Sequence, residues 1–283
     1  MKIAVFSIFR NSSACLPDFL GSLERTEELG HDLSYFFFEN DSTDDTRELL
    51  SEFLRGRDGK IGSEKWNAPS FGSVTDPQRM ALLCCCRNAC KDLSRGREDF
   101  DYALLIDSDI RFSDLSLTQA LNTISSVGED AVMVTANVRQ NIPDLIKGYS
   151  QTSYYDTYPL RDKFGNQGLY FSDCPFVLQE DALAWHTGKP VQTMSSFGGY
   201  ALVRWSAFKD VRWSTNGACD HVNFCHSLAE YGKIYADPKL VVETTVDLSK
   251  LNMPLLTEQA KKQAEQIPQI NAIFNKSRSS TWL

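Results

Sequence analysis

Hydrophobic and polar positions fall in blocks along the first half of the chain, each with the length and spacing of one element. Residues 2–9 are an almost unbroken apolar run of strand length. Pro17 then opens an amphipathic stretch to about residue 29, with Leu16, Phe19, Leu20 and Leu23 at helical spacing. A second strand is predicted over 33–38, ending at Glu39-Asn40-Asp41-Ser42. Ser42 or Thr43 is placed to cap a helix whose core face is Leu49, Leu50, Phe53 and Leu54. A loop rich in Gly, Pro and Ser spans roughly 56–77. Met80, Leu83, Cys84 and Cys90 mark a long helix whose apolar face is interrupted by Arg87. Residues 101–106 form a third strand stopped by Asp107-Ser108-Asp109; a helix near 115–126 and a strand at 131–136 follow. Strand and helix thus alternate to residue 136, which predicts an α/β fold with a mostly parallel sheet covered on both faces.

The second half is less regular. Residues 141–190 hold many aromatics and Asp/Gly turns and read as a loop-rich lobe. Residues 191–208 are strand material around Gly198-Gly199, and 220–231 fits a helix with Val222, Cys225 and Leu228 inward. A short strand near 234–236 and a tail helix from about Thr257 close the pattern, and Pro268 should break or kink that helix. No internal repeat or low-complexity linker divides the chain. One domain over 1–283 is the simplest organisation, with a first half to 136, a second over 137–256 and a helical tail over 257–283.

Composition narrows the function classes. At 283 residues with 42% hydrophobic positions the chain can bury a substantial core. No apolar run approaches the ~20 residues of a membrane-spanning helix, and the opening MKIAVFSIFRNSS is too briefly apolar for a signal peptide. These features predict a soluble cytoplasmic protein, with peripheral attachment at a membrane still open. A net charge of −8 argues against a non-specific nucleic-acid partner. The eight cysteines contain no C-x-x-C pair, so a zinc site is not indicated; Cys84, Cys85 and Cys86 suit small buried side chains in a reducing compartment.

In open α/β sheets, ligands bind outside the carboxyl ends of the strands. Three polar clusters fall there: 7–11, 39–42 and 107–109. With 23 aspartates in the chain, chance alone supplies about two D-x-D triplets, and two occur. The triplet at 99–101 precedes its strand, whereas Asp107-Ser108-Asp109 directly ends one. Asp107 and Asp109 converging there suit a hard divalent cation, Mn2+ or Mg2+, whose shell diphosphate oxygens complete. A solvated turn that caps a helix is the alternative. Arg87, a cation on an apolar face, needs an anionic partner, either a structural carboxylate or a bound phosphate. Neither G-x-G-x-x-G nor G-x-x-x-x-G-K-[ST] is present.

This order of motifs resembles a GT-A glycosyltransferase, from residue 1 to about 245. FFFENDSTDDT is similar to the segment whose acidic residues, here Glu39 and Asp41, hold the nucleoside. CRNACKDL is similar to the helix whose Arg-Asn pair, Arg87-Asn88, faces the donor. ALLIDSDIRF matches the metal-binding strand with Asp107, Ser108 and Asp109. SSFGGYALVRWSAF resembles the acceptor-side glycine segment through Gly198 and Gly199, and CDHVNFCHSLAEYG the acidic motif of the last catalytic helix. The family's Glu-Asp pair is Asp220-His221 here. SYYDTYPLRDKFG also resembles a stretch in fungal capsule-associated mannosyltransferases.

The resemblance implies a metal-dependent hexosyl- or pentosyltransferase. It would move a sugar, mannose among the candidates, from a GDP- or UDP-linked donor to a hydroxyl of a glycan or glycoconjugate. Asp220 would be the general base if the anomeric centre inverts, and would only orient the acceptor if it is retained. His221 could approach the metal, and Ser7 and Arg10 face the donor by position. Asp156, Arg161 and Asp162, among Tyr154, Tyr155 and Tyr158, fit an acceptor site or a salt-bridged lid. Trp205 and Trp213 line the same cleft or fill core. The rivals are a nucleotidyltransferase making nucleotide sugars, which would carry a glycine-rich basic loop that FSIFRNSSAC lacks, and a non-catalytic carbohydrate-binding relative.

Overall fold

Alternate residues of the first strand belong to two different cores, which makes it central in a sheet covered on both faces. The structure is a computed structural model describing residues 1–71, 75–97, 99–144, 149–170, 172–216, 219–245, 258–263 and 265–268. The first elements are β1 (Lys2–Phe9), α1 (Leu16–Glu28), β2 (Asp32–Asn40), α2 (Thr46–Phe53), β3 (Gly59–Glu64), α3 (Pro77–Asp92) and β4 (Tyr102–Ile106). They are followed by β5 (Ile110–Arg111), α4 (Ser116–Ser126), β6 (Ala131–Asp144), β7 (Tyr149–Tyr154), β8 (Arg161–Asp162) and α5 (Gln179–His186). Last come β9 (Val191–Ser195), β10 (Tyr200–Arg204), α6 (Trp205–Phe208), α7 (Asp220–Leu228) and β11 (Lys233–Thr244).

One eleven-stranded sheet runs in the order β3-β2-β1-β4-β10-β6-β11-β9-β8, with β5 on β11 and β7 on β6. The stretch β3-β2-β1-β4 is parallel. β10 enters antiparallel between β4 and β6, and β11 lies parallel to β6. The sheet is therefore mixed in its second half, a departure from the strand–helix alternation of the first. β1 pairs with β2 on one side and β4 on the other, so the chain switches direction between β1 and β4. The crevice outside those two carboxyl ends is where such sheets receive ligands.

Ile3, Val5 and Phe9 of β1 pack with Tyr35 and Phe37 of β2 under α1, α2 and α4. Ala4 and Phe6 face the other way, with Phe36, Phe38, Cys84, Cys90 and Phe208 under α3, α6 and α7. Trp205 and Trp213 are buried in this second core, the second of the two expectations for them. All eight cysteines are free thiols, but Cys85 is exposed, against the expectation that the three neighbours are buried together.

The second core also holds a cation. The buried Lys91 ammonium donates to the carbonyls of Phe208 (2.7 Å), Lys209 (3.0 Å) and Val211, and so closes the end of α6. Burial, with Arg212 nearby, lowers its pKa to about 8. Lys91→Met should cost roughly 1–3 kcal/mol in urea unfolding, because buried carbonyls lose their donor; an unchanged midpoint would mean water replaces it.

Several boundaries differ from expectation. The 56–77 loop contains β3, an edge strand with Ile61 as its one large apolar residue, which periodicity cannot mark. α2 begins at Thr46 with neither Ser42 nor Thr43 as its cap. Residues 205–208 are helix, not strand. β6 and β11 run to 14 and 12 residues, well past the short strands predicted. In α7 Phe224 is fully buried and Val222 only half-buried. Residues 258–263 and 265–268 are helical, and Gln263 bonds Tyr170 N–H (3.1 Å) and the Gly168 carbonyl (3.1 Å). Thr257 and everything past Pro268 lie outside the described residues, as do 145–148 of the expected lobe. Among the described residues no helix is long and apolar enough to cross a membrane.

Candidate active site

The carboxyl end of β4 turns sharply at the acidic triplet, and the turn is braced from three sides. Asp107 N–H donates to the Gly199 carbonyl (2.9 Å), and Ile110 N–H returns to the Asp107 carbonyl (3.2 Å). The Asp109 carbonyl accepts from Thr245 N–H (2.8 Å) and Oγ1 (3.1 Å), just past β11. Ser108 Oγ accepts from Ser12 Oγ (3.4 Å).

Arg87 on α3 reaches this turn from behind. Its Nη2 donates to Asp107 Oδ1 (3.0 Å) and its Nε to Asp220 Oδ2 (2.9 Å). The Arg87 side chain is only 10% exposed and Asp220 only 3%, so this is a buried ion pair. Asp220 is the first residue of α7 and spends its carboxylate on Arg87, not on capping the helix. Phe197 underlies the cluster, with the Arg87 guanidinium 5.3 Å from its ring centre and the His221 imidazole stacked on it at 3.7 Å and 15°. Both His221 ring nitrogens are buried without a hydrogen-bond partner, and Nε2 lies 3.9 Å from Asp220 Oδ2. Asp156 completes the group: its Oδ2 accepts from Gly198 N–H (2.9 Å).

Four carboxyls thus gather near the Arg87 guanidinium, and the excess of negative charge registers in the pKa values of Asp109 and Asp156. Burial, then Asp107, push Asp109 up to about 6. Burial, then Asp107 and more weakly Asp220 and Asp109, push Asp156 up to about 7 against the Gly198 N–H. Burial also acts to raise Asp220, but His221 and Arg87 outweigh it and hold that carboxyl below the usual range. Burial lowers His221 to about 4, so its ring is neutral at pH 7 and Arg87 supplies the depression there.

A raised carboxyl pKa weakens folding as pH rises. Between about 4 and 7 the native state keeps the Asp156 proton that the unfolded chain has released, so stability falls through that window. Asp156→Asn removes this effect. Thermal unfolding in chelator should show the variant gaining on the parent from pH 4 to pH 8; a pH-independent difference would contradict the assignment.

The remaining predicted residues are mostly engaged by the chain itself. Glu39 accepts from Ser63 Oγ and Ser42 N–H (3.2 Å). Asp41, in left-handed backbone at φ +57°, accepts from Asn67 N–H (2.7 Å) and Ala68 N–H (3.1 Å). Arg10 donates to the carbonyls of Ala68 (2.7 Å) and Pro69 (3.3 Å), so these residues hold the 66–69 loop along the crevice. Ser7 is buried in β1 with its hydroxyl unpartnered. Asn88 is spent on the Trp213 backbone in both directions (2.8 and 3.0 Å) and does not face the crevice. Asp162 closes the turn to Asn166 and Arg161 bonds the Tyr158 and Leu160 carbonyls, so neither joins the cluster.

Phe197 and Arg79 also belong to the site, although neither stands out in the sequence, and Tyr155 of the aromatic stretch lies beside them. Burial, then Asp156 and Asp109, raise the Tyr155 pKa, and Arg79 acts on both Tyr155 and Asp109. Arg79 stands eight residues before Arg87 on α3, about two turns, so helical spacing could have flagged it.

Among the described residues no three His, Cys, Asp or Glu side chains are arranged to hold a metal by themselves. The donor set still fits a hard cation. Asp107 and Asp109 form an excess of oxygen ligands, and His221 offers ring nitrogens that nothing else occupies. Oxygens of a bound diphosphate would complete such a shell.

No family model and no curated protein sequence matches the chain. Solved structures do match. S. aureus TarS 1-349 in complex with UDP-GlcNAc aligns over 87% of this chain and 59% of its own, with TM-score 0.51 and 13% identity. The mannosyltransferase PcManGT from Pyrobaculum calidifontis, in complex with GDP-Man and Mn2+, aligns over 87% and 57%, with TM-score 0.50 and 11% identity. The chain spans a little under three fifths of each. Its fold is that of the GT-A glycosyltransferases.

Proposed function

We propose that this protein is a glycosyltransferase that moves a sugar from a nucleoside diphosphate to a hydroxyl of a glycan or glycoconjugate. The observation that carries the reading is the braced acidic turn at the carboxyl end of β4, beside the buried Arg87–Asp220 pair, at the switch point of a GT-A-type sheet. In this reading residues 1–136 hold the donor, 137–256 the acceptor, and 257–283 are a tail. Asp107 and Asp109 hold Mn2+ or Mg2+, with His221 as a further ligand. Bound there, the cation would offset charge growing on the departing diphosphate.

The chain's own residues have separable tasks. The bond from the anomeric carbon to the diphosphate oxygen breaks and one to the acceptor oxygen forms. Asp220, ionised at neutral pH, takes the acceptor proton if the centre inverts; if it is retained, Asp220 orients the acceptor and the proton passes to the departing diphosphate oxygen. Arg87 keeps Asp220 ionised and Asp107 in place. Arg10 and Asp41 hold the 66–69 loop, and with Glu39 and Ser7 they form the nucleoside side of the crevice. UDP-GlcNAc and GDP-Man, the ligands of the two matched proteins, make both uridine and guanosine donors the first to try. Free thiols throughout fit a reducing, cytosolic setting.

The test is to incubate the protein with UDP- and GDP-sugars, Mn2+ and a glycan mixture and to identify the products. Release of nucleoside diphosphate with sugar gained by an acceptor is expected. Pyrophosphate made from a nucleoside triphosphate and a sugar phosphate would favour a nucleotidyltransferase. No turnover with any donor, alongside binding of free glycan, would favour a carbohydrate-binding protein.

A further inference from the structure

Three parts of the site rest on one turn. Gly198 and Gly199 both have left-handed backbone (φ +67° and +66°). A Cβ at Gly198 would lie 2.2 Å from the Ala136 carbonyl oxygen, and one at Gly199 2.4 Å from Ile110 Cδ1. The turn is thus packed on two sides and takes only glycine. Its Gly199 carbonyl receives the Asp107 N–H, and Phe197 at its start carries the Arg87 guanidinium and the His221 ring. Gly198 N–H points to Asp156, which arrives from the segment after β7.

We propose that Asp156 is a positioning residue: by accepting the Gly198 N–H it fixes the 197–199 turn, and through that turn the Asp107 backbone and the Phe197 surface beneath His221 and Arg87. Electrostatics opposes the placement, because Asp107, Asp220 and Asp109 all repel a charge there. The hydrogen bond to the turn opposes that repulsion in part. No step of the proposed transfer needs Asp156 to touch donor or acceptor. What matters is therefore an acceptor oxygen at the right place, not its charge.

That distinction is testable. The His221 ring proton and carbon resonances report its stacking on Phe197 and are identified, among the four histidines, by their loss in His221→Gln. Asp156→Asn keeps the acceptor oxygen and should leave the His221 signal in place. Asp156→Ala should move it. Asp156→Glu, which keeps the charge but shifts the oxygen by a methylene, should also move it and serves if the alanine variant does not fold. Calorimetry with UDP and GDP in Mn2+ should show roughly 10- to 100-fold weaker binding in Asp156→Ala and near-native binding in Asp156→Asn. A native His221 signal in both Asp156→Ala and Asp156→Glu overturns the proposal, as does an asparagine variant as disturbed as alanine. The consequence for nucleotide affinity rests on the proposed function; the consequence for the His221 ring does not. A parent protein that binds neither nucleotide therefore defeats the function alone.

Discussion

Arg87→Met is expected to destabilise the protein by about 3–5 kcal/mol at neutral pH, the cost of stranding a buried charge. The side chain replaced is nine-tenths buried and serves two carboxylates, one of which, Asp220, is almost fully buried. The loss should depend on pH. In the parent, Asp220 lies below the usual carboxylate range, so its contribution is present above the unfolded value and fades as pH falls through the folded one. Without Arg87, burial acts on Asp220 opposed by His221 alone, whose ring is neutral near pH 7, and raises its pKa. The stranded charge then weakens the variant increasingly as pH rises. Urea unfolding at pH 4 and pH 8 should show a small deficit in acid and a large one at pH 8. Adding Asp220→Asn should recover part of the loss. Equal deficits at both pH values, or no recovery, would show that the pair does not hold this part of the fold together.

The second large effect has opposite signs in stability and function. Asp109 carries a carboxyl pushed up to about 6 by burial and by Asp107, so its charge costs the ligand-free protein stability as pH rises from about 4 to 6. Asp109→Asn should raise the melting temperature at pH 8, with little change near pH 4. The same substitution should lower sugar transfer by roughly 100-fold or more, at least what losing an outer partner of a metal ligand costs. A residue whose removal stabilises the fold and abolishes activity is typical of a site held under electrostatic strain. Should Asp109→Asn melt earlier than the parent at pH 8, or retain full transfer, the acidic turn is merely structural.

Much of the first half was legible because its physics is local. The apolar runs of β1 and β4 are long enough to be buried on both faces, and the polar residues that stop them mark the crevice. Arg87 stood out as a cation on an apolar helix face, and the need for an anionic partner was correct; which carboxylates met it was not readable. The illegible parts depend on contacts distant in sequence. Asp156 lies 49 residues beyond Asp107 and joins the cluster only through the Gly198 turn. β11 reads as a short strand because Asp237-Pro238 looks like a stop. Gln119 (2.9 Å) and Thr123 (2.6 Å) in fact satisfy the buried Asp237, and the strand resumes after a shift in register. β3 has too few apolar residues to mark a strand and is recruited by the free edge of β2. Glu39 and Asp41 at the carboxyl end of β2 read as nucleoside contacts, but the chain itself takes their hydrogen bonds, through the 66–69 loop at Asp41 and through Ser63 and Ser42 at Glu39.

The most direct test is to locate Mn2+ by its anomalous scattering in crystals grown with UDP or GDP. One strong peak is expected between the Asp107–Asp109 turn and the diphosphate, absent from Asp107→Asn/Asp109→Asn crystals. A nucleotide bound elsewhere on the sheet, or the same nucleotide pose with no cation beside that turn, would contradict the proposed site.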